Sequence, residues 1–118
     1  MSKELQERVE EFALACNKLA EQYPKTYAGN YISGQLLRAA CSSAANYRAA
    51  CHAQSKAAFI AKLSIVIEES DESEFWLGMT KKSEILLNVE VDRLENEAHE
   101  LASIFIKSRI TAQKNLKK

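Results

Sequence analysis

The chain has 118 residues, 47% of them hydrophobic and 27% charged, with only three Gly and one Pro, which suits one domain with a real core and is too short for two. Sixteen basic residues balance sixteen acidic ones, which excludes the overall positive charge of a general polyanion binder. Scarce helix breakers with abundant Ala, Leu, Glu and Lys point to an all-α protein. No run approaches the ~20 apolar residues of a membrane helix, and the charged start MSKELQERVEEF has no signal-peptide core. A cytoplasmic protein without membrane contact is expected. In that setting Cys16, Cys41 and Cys51, which lack metal-type spacing, are expected to be small buried apolar residues.

In chain order, Leu5, Val9, Phe12, Cys16, Leu19 and Tyr23 alternate steps of four and three, one apolar face of a helix over about 2–22. Pro24 ends it, because the residue before proline is pushed out of helical geometry. Gly29-Asn30 is then expected to turn the chain, with Asn30 capping a second helix over 31–52. Leu37, Cys41, Ala44, Arg48 and Cys51 form one stripe of that helix, and Leu36, Ala40, Ser43 and Tyr47 the adjacent one. Small residues dominate both, so neighbouring axes can come closer than the usual ~8–10 Å. Ala53-Gln54-Ser55 is the connection, with Ser55 as the cap of a third helix over 56–80.

The third helix carries Phe59, Leu63, Val66, Ser70, Ser73 and Leu77 on one stripe, widened by Ile60, Ile67 and Trp76. Its EESDESE run reads as a solvated face, yet Glu69, Glu72 and Trp76 share one side and part of the run can point inward. Asn88 caps a fourth helix over 88–113, with Glu90 and Asp92 in its first turn and Leu87, Val91, Leu94, Ala98, Leu101 and Phe105 as its stripe. Four helices of matched length with short connections make an antiparallel up-down-up-down four-helix bundle.

The charges are segregated along the chain. Gln22 to Ile67 holds no acid but contains Lys25, Arg38, Arg48, Lys56 and Lys62, whereas Glu68 to Glu100 holds eleven acids against three bases. From Leu101 onward there are five bases and no acid. One reading packs basic helices beside an acidic one; the other makes a local basic surface for a partner. Arg38 and Arg48 are ten residues apart, which leaves them about 80° out of alignment on a helix, free to face different neighbours. At least one is expected to meet the Glu68–Glu74 cluster and set helix register; the alternative is that both serve a phosphate-bearing partner.

Signals for catalysis are absent. Di-iron bundles need Glu-x-x-His pairs on two helices, and neither these nor HExxH nor a Gly-rich phosphate loop occurs in the sequence. His52 falls at a helix end, where the dipole favours a cation, and His99 lies on a charged helix and is expected to face solvent. No cofactor or metal is expected.

The runs Gln35-Leu36-Leu37-Arg38-Ala39-Ala40, Ser42-Ser43-Ala44-Ala45-Asn46-Tyr47-Arg48 and Phe59-Ile60-Ala61-Lys62-Leu63 resemble the four-helix-bundle family of 23S rRNA intervening-sequence proteins. Glu68 to Leu77 is similar to that family's acidic motif before Trp-Leu, and Glu97-Ala98-His99-Glu100-Leu101 to its fourth-helix signature. The resemblance implies a bacterial, non-enzymatic protein, often a cyclic homopentamer. It also implies kinship with the accessory protein of diversity-generating retroelements, which binds a reverse transcriptase and nucleic acid. Arg38, Asn46, Tyr47, Arg48, Glu69, Glu72 and Trp76 are accordingly the candidate ion-pair or partner-binding residues. Two functions stand against each other. One is a self-assembling scaffold. The other binds RNA or DNA, or a nucleic-acid-processing protein, through Lys25, Arg38, Arg48, Lys56 and the basic C-terminal tail.

Overall fold

The computed structural model describes residues 2–116. Within them run four helices, α1 (Ser2–Ala20), α2 (Tyr27–Cys51), α3 (Lys56–Lys82) and α4 (Val89–Leu116), in a body 51 × 22 × 19 Å. Each helix packs on its neighbours in sequence, α1 and α4 close the ring, and diagonal pairs stay apart. This is the up-down-up-down bundle that matched lengths and short connections require. The seams α2–α3 and α3–α4 are the tightest, and α1–α4 is the most open.

The four-three stripes form the core. Val9, Phe12, Cys16 and Leu19 of α1, Leu63, Val66 and Leu77 of α3, and Val91, Leu94, Ala98, Leu101 and Phe105 of α4 are all buried. On α2 the stripe of Leu36, Ala40, Ser43 and Tyr47 turns inward. Of its companion stripe only Ala44 is buried, so Cys41 is exposed and Cys51 half-buried, and only Cys16 is the buried apolar cysteine expected of all three. Burial pushes the Cys16 thiol up to about 12, far from the thiolate form that would react.

The first connection differs most from the sequence reading. The helix of α1 ends at Ala20, and Tyr23 turns into the core, where its hydroxyl lies 2.6 Å from Thr80 Oγ1. Thr80 in turn donates to the Trp76 carbonyl at 2.8 Å, so the Tyr23 hydroxyl donates to Thr80. The α2 helix starts at Tyr27 rather than Tyr31, and Thr26, not Asn30, is its cap: its Oγ1 accepts from Gly29 N at 3.1 Å. Gly29 and Asn30 are therefore helical. Glycine is needed at 29 because a Cβ there would lie 2.1 Å from the Pro24 carbonyl oxygen.

The other ends follow their residues closely. Ser55 Oγ accepts from Ala58 N at 3.1 Å, and Asn88 Oδ1 accepts from Glu90 N at 2.9 Å. Asn88 also donates to Gln22 Oε1 at 2.7 Å, tying the two loops at one end of the bundle. Hydroxyls inside the bundle return to their own helix: Ser43 donates to the Ala40 carbonyl and Ser73 to the Glu69 carbonyl. Ser70 is the exception, 1% exposed with its Oγ unpartnered. An unsatisfied buried hydroxyl costs about 1–3 kcal/mol of desolvation. Ser70→Ala is therefore expected to leave the urea midpoint unchanged or raise it, and a clear drop would show that the hydroxyl has a partner.

Candidate interaction surface on helices α2 and α3

Arg38 leaves α2 toward the outer side of α3. Its Nη1 donates to Glu69 Oε2 at 3.1 Å, its Nη2 to Glu72 Oε2, and its Nε to Gln35 Oε1 at 3.4 Å. The antiparallel register of α2 and α3 brings these groups together, because Glu69 and Glu72 lie three residues apart on one face of α3. Hydrogen bonding to Glu72 and the nearby carboxylate charges raise the Arg38 pKa. Arg38 is about half exposed, so the pair contributes at most about 1 kcal/mol, screened by solvent.

What the pair does is orient an indole. Trp76 Nε1 donates to the same Glu72 Oε2 at 3.1 Å, which fixes the ring one turn beyond the ion pair. Tyr31 of α2 meets it edge-on with ring centroids 5.8 Å apart, and Phe75 does so at 4.9 Å. Tyr31 and Phe75 are more than half exposed. The result is a ridge of three rings, Tyr31 and Trp76 over the α2–α3 seam and Phe75 on the outer face of α3 toward α4, with Arg38, Glu69 and Glu72 beside Trp76. Aromatic and Arg side chains held rigid in this way are typical of interface anchors. Trp76 is the chain's single tryptophan, so its fluorescence reports on the arrangement. Arg38→Ala is expected to red-shift the emission while changing stability by less than about 1 kcal/mol. An unchanged spectrum would show that Glu72 holds the indole unaided.

The remaining candidates are placed elsewhere. Tyr47 is buried against Phe105, centroids 4.9 Å apart; burial and the neighbouring Cys51 push its phenol pKa up. Asn46 donates back to Ser42 O at 2.9 Å and makes no cross-helix bond. Arg48 is exposed near the end of α2, and His52 donates from Nδ1 to its carbonyl at 2.8 Å, a bond that closes the helix end. Among the described residues the cations in ion pairs are Arg8, Arg38, Lys81 and Arg93, so Arg48, Lys25 and Lys56 stand outside them. Lys25 lies in the α1–α2 loop, at the opposite end of the bundle from Arg48 and Lys56. In the C-terminal tail, Lys117 and Lys118 lie outside the described residues.

Other cross-helix pairs gave no sequence signal. Arg8 of α1 grips Glu97 of α4 through two bonds of 2.8 Å, with Glu100 at 3.3 Å. Lys81 lies 3.0 Å from both Asp92 and Glu95. His99 is exposed, as expected, and meets Glu74 at 3.2 Å. Each looks in sequence like an ordinary surface charge. Among the described residues no three His, Cys, Asp or Glu side chains gather to hold a metal ion, and no helix is long and apolar enough to cross a membrane.

The same architecture occurs in a protein of unknown function from the S23 ribosomal protein family of Bacteroides thetaiotaomicron. Its crystal structure superposes with a TM-score of 0.83 at 29% identity, over 92% of this chain and 96% of that one. No curated protein matches the chain. The pattern of the 23S rRNA-intervening sequence proteins matches residues 2–107, nearly the whole bundle and both helices of the ridge. The chain belongs to the 23S rRNA-intervening sequence protein family.

Proposed function

We propose that the protein is a non-enzymatic scaffold that assembles with copies of itself into a closed ring, five being the number the family likeness suggests. The observation that carries this reading is the apolar surface left on the folded chain. Tyr31 and Phe75, grouped in the fixed aromatic ridge, are each more than half exposed, as are Tyr27 at the start of α2 and, separately, Leu14 of α1. Large ordered apolar side chains grouped on a soluble surface are the mark of an interface, and identical chains close most often by symmetry. Size-exclusion chromatography with light scattering tests the assembly. A monomer persisting at micromolar concentration would overturn it.

A second reading, nucleic-acid binding, is favoured by the end where α2 and α4 finish and α3 begins. There Arg48, Lys56, Lys62, Lys107, Arg109 and Lys114 gather, and only α1 brings acids to that end. Arg38 contributes little to this reading because Glu69 and Glu72 occupy it. Binding of a labelled RNA or DNA should fall steeply with salt, and Arg48→Ala with Lys56→Ala should flatten that dependence. No binding at low salt would remove this reading.

A further inference from the structure

The ridge has a counterpart on the other side of the molecule. Because the helices pack in ring order, the α4–α1 seam lies opposite the α2–α3 seam. Toward one end the α4–α1 seam is clamped by Arg8 and Glu97; beyond the clamp it opens into a groove of about 380 Å³. Leu14, Ala15, Lys18 and Leu19 of α1 line the groove, with Glu90 and Arg93 of α4. One aromatic ring fits a cavity of about 150 Å³, so the groove has room for two. Groove and ridge also lie toward the same end of the bundle. The groove uses the second half of α1 and the start of α4, and the ridge uses the start of α2 and the last third of α3.

Charge matches shape. From Glu68 to Glu74 there are five carboxylates. Arg38 answers Glu69 and Glu72, and the His99 ring lies 3.2 Å from Glu74; Glu68 and Asp71, on the exposed face of α3 that also carries Phe75, are in no ion pair among the described residues. In the groove, Arg93 and Glu90 neutralise each other at 2.7 Å. Lys18 is in no ion pair among the described residues, and the remaining acid of the groove, Glu11, lies about two helical turns before it near the middle of α1. A lone cation thus stands at one surface and unmatched acids at the other.

We propose that the ridge of Tyr31, Phe75 and Trp76 seats in the α1–α4 groove of a second copy of this chain, with Lys18 of that copy against Asp71 and Glu68. This inference rests on the self-assembly reading above and names its surfaces. Because the two surfaces differ, the contact is head-to-tail, and a pair of copies keeps one ridge and one groove free for the next. Such a contact propagates into a ring when its rotation closes.

The test uses Phe75→Asp and Leu14→Asp. Both side chains are more than half exposed, and circular dichroism checks that the helices persist. Each variant alone is expected to run as a monomer under conditions where the wild type assembles. Mixed one to one, they should form a dimer, because the intact ridge of the Leu14→Asp copy meets the intact groove of the Phe75→Asp copy. Ile110→Asp, at an exposed apolar position on α4 outside both surfaces, should leave assembly unchanged. If both variants keep the wild-type size, another surface makes the assembly; the inference falls and the scaffold reading stands. If each is monomeric and the mixture stays so, the ridge does not enter the groove. A monomeric wild type overturns both.

Discussion

Replacing Phe105 by alanine is expected to lower the unfolding free energy by about 3–5 kcal/mol, the largest effect of any single change considered for this chain. Phe105 is fully buried and meets the buried Tyr47 ring at 4.9 Å with a tilt of 41°, a geometry that adds about 0.5–1.5 kcal/mol beyond burial. The site is also badly placed to heal. The buried face of α2 around Tyr47 is Ala40, Ser43 and Ala44, and short side chains cannot swing into a void. The cost therefore belongs at the upper end of the range. Phe105→Leu keeps most of the volume and should lose far less. Urea titration of both variants decides it; a loss below about 1.5 kcal/mol for the alanine variant would mean that the helices close the gap.

Two glycines of α2 are expected to respond to alanine with opposite signs. In a helix, alanine in place of glycine ordinarily stabilises by about 0.5–1 kcal/mol. Gly34 should show that gain, because it is exposed and a Cβ there meets nothing within 4 Å. At Gly29 the same Cβ would stand 2.1 Å from the Pro24 carbonyl oxygen and 3.0 Å from Pro24 Cγ. The atom in the way is backbone of the α1–α2 connection, which Tyr23 anchors through Thr80, so it cannot move aside cheaply. Gly29→Ala is expected to cost about 1–3 kcal/mol as an overpacked contact. Thermal melts of the two variants side by side would reveal the sign, and a stabilised Gly29→Ala would show that the connection yields.

The same position explains where the sequence misled. Gly29-Asn30 reads as a turn because glycine and asparagine favour one. Here glycine serves close packing against Pro24 inside a helix, and Thr26, whose neighbours carry no helical signal, supplies the cap. The bundle itself was legible because its stripes repeat at four and three over every helix. The caps at Ser55 and Asn88 were legible because their chemistry is local. At the ridge, the spacing of Glu69, Glu72 and Trp76 places the indole and the two carboxylates beside it on one side of α3. Tyr31 carries no such signal, since it falls at the start of the helix expected over 31–52 and outside both of its stripes. Arg8 with Glu97 was beyond reach: 89 residues separate them, and nothing local distinguishes either from a solvated charge.

The openness of the α1–α4 seam also bears on the order in which the fold forms and opens. Helices α2, α3 and α4 are joined to each other by contacts between chain neighbours, which close early because little loop entropy opposes them. Closure of α1 on α4 links the two ends of the chain and rests on few close backbone approaches, with Arg8 and Glu97 as a two-bond polar tie. In a structure whose parts open with different free energies, α1 is then the unit released first, leaving the other three helices paired. That release is salt-sensitive through the Arg8 grip, and it bares the buried row of Val9, Phe12, Cys16 and Leu19, including the one thiol that the closed bundle hides.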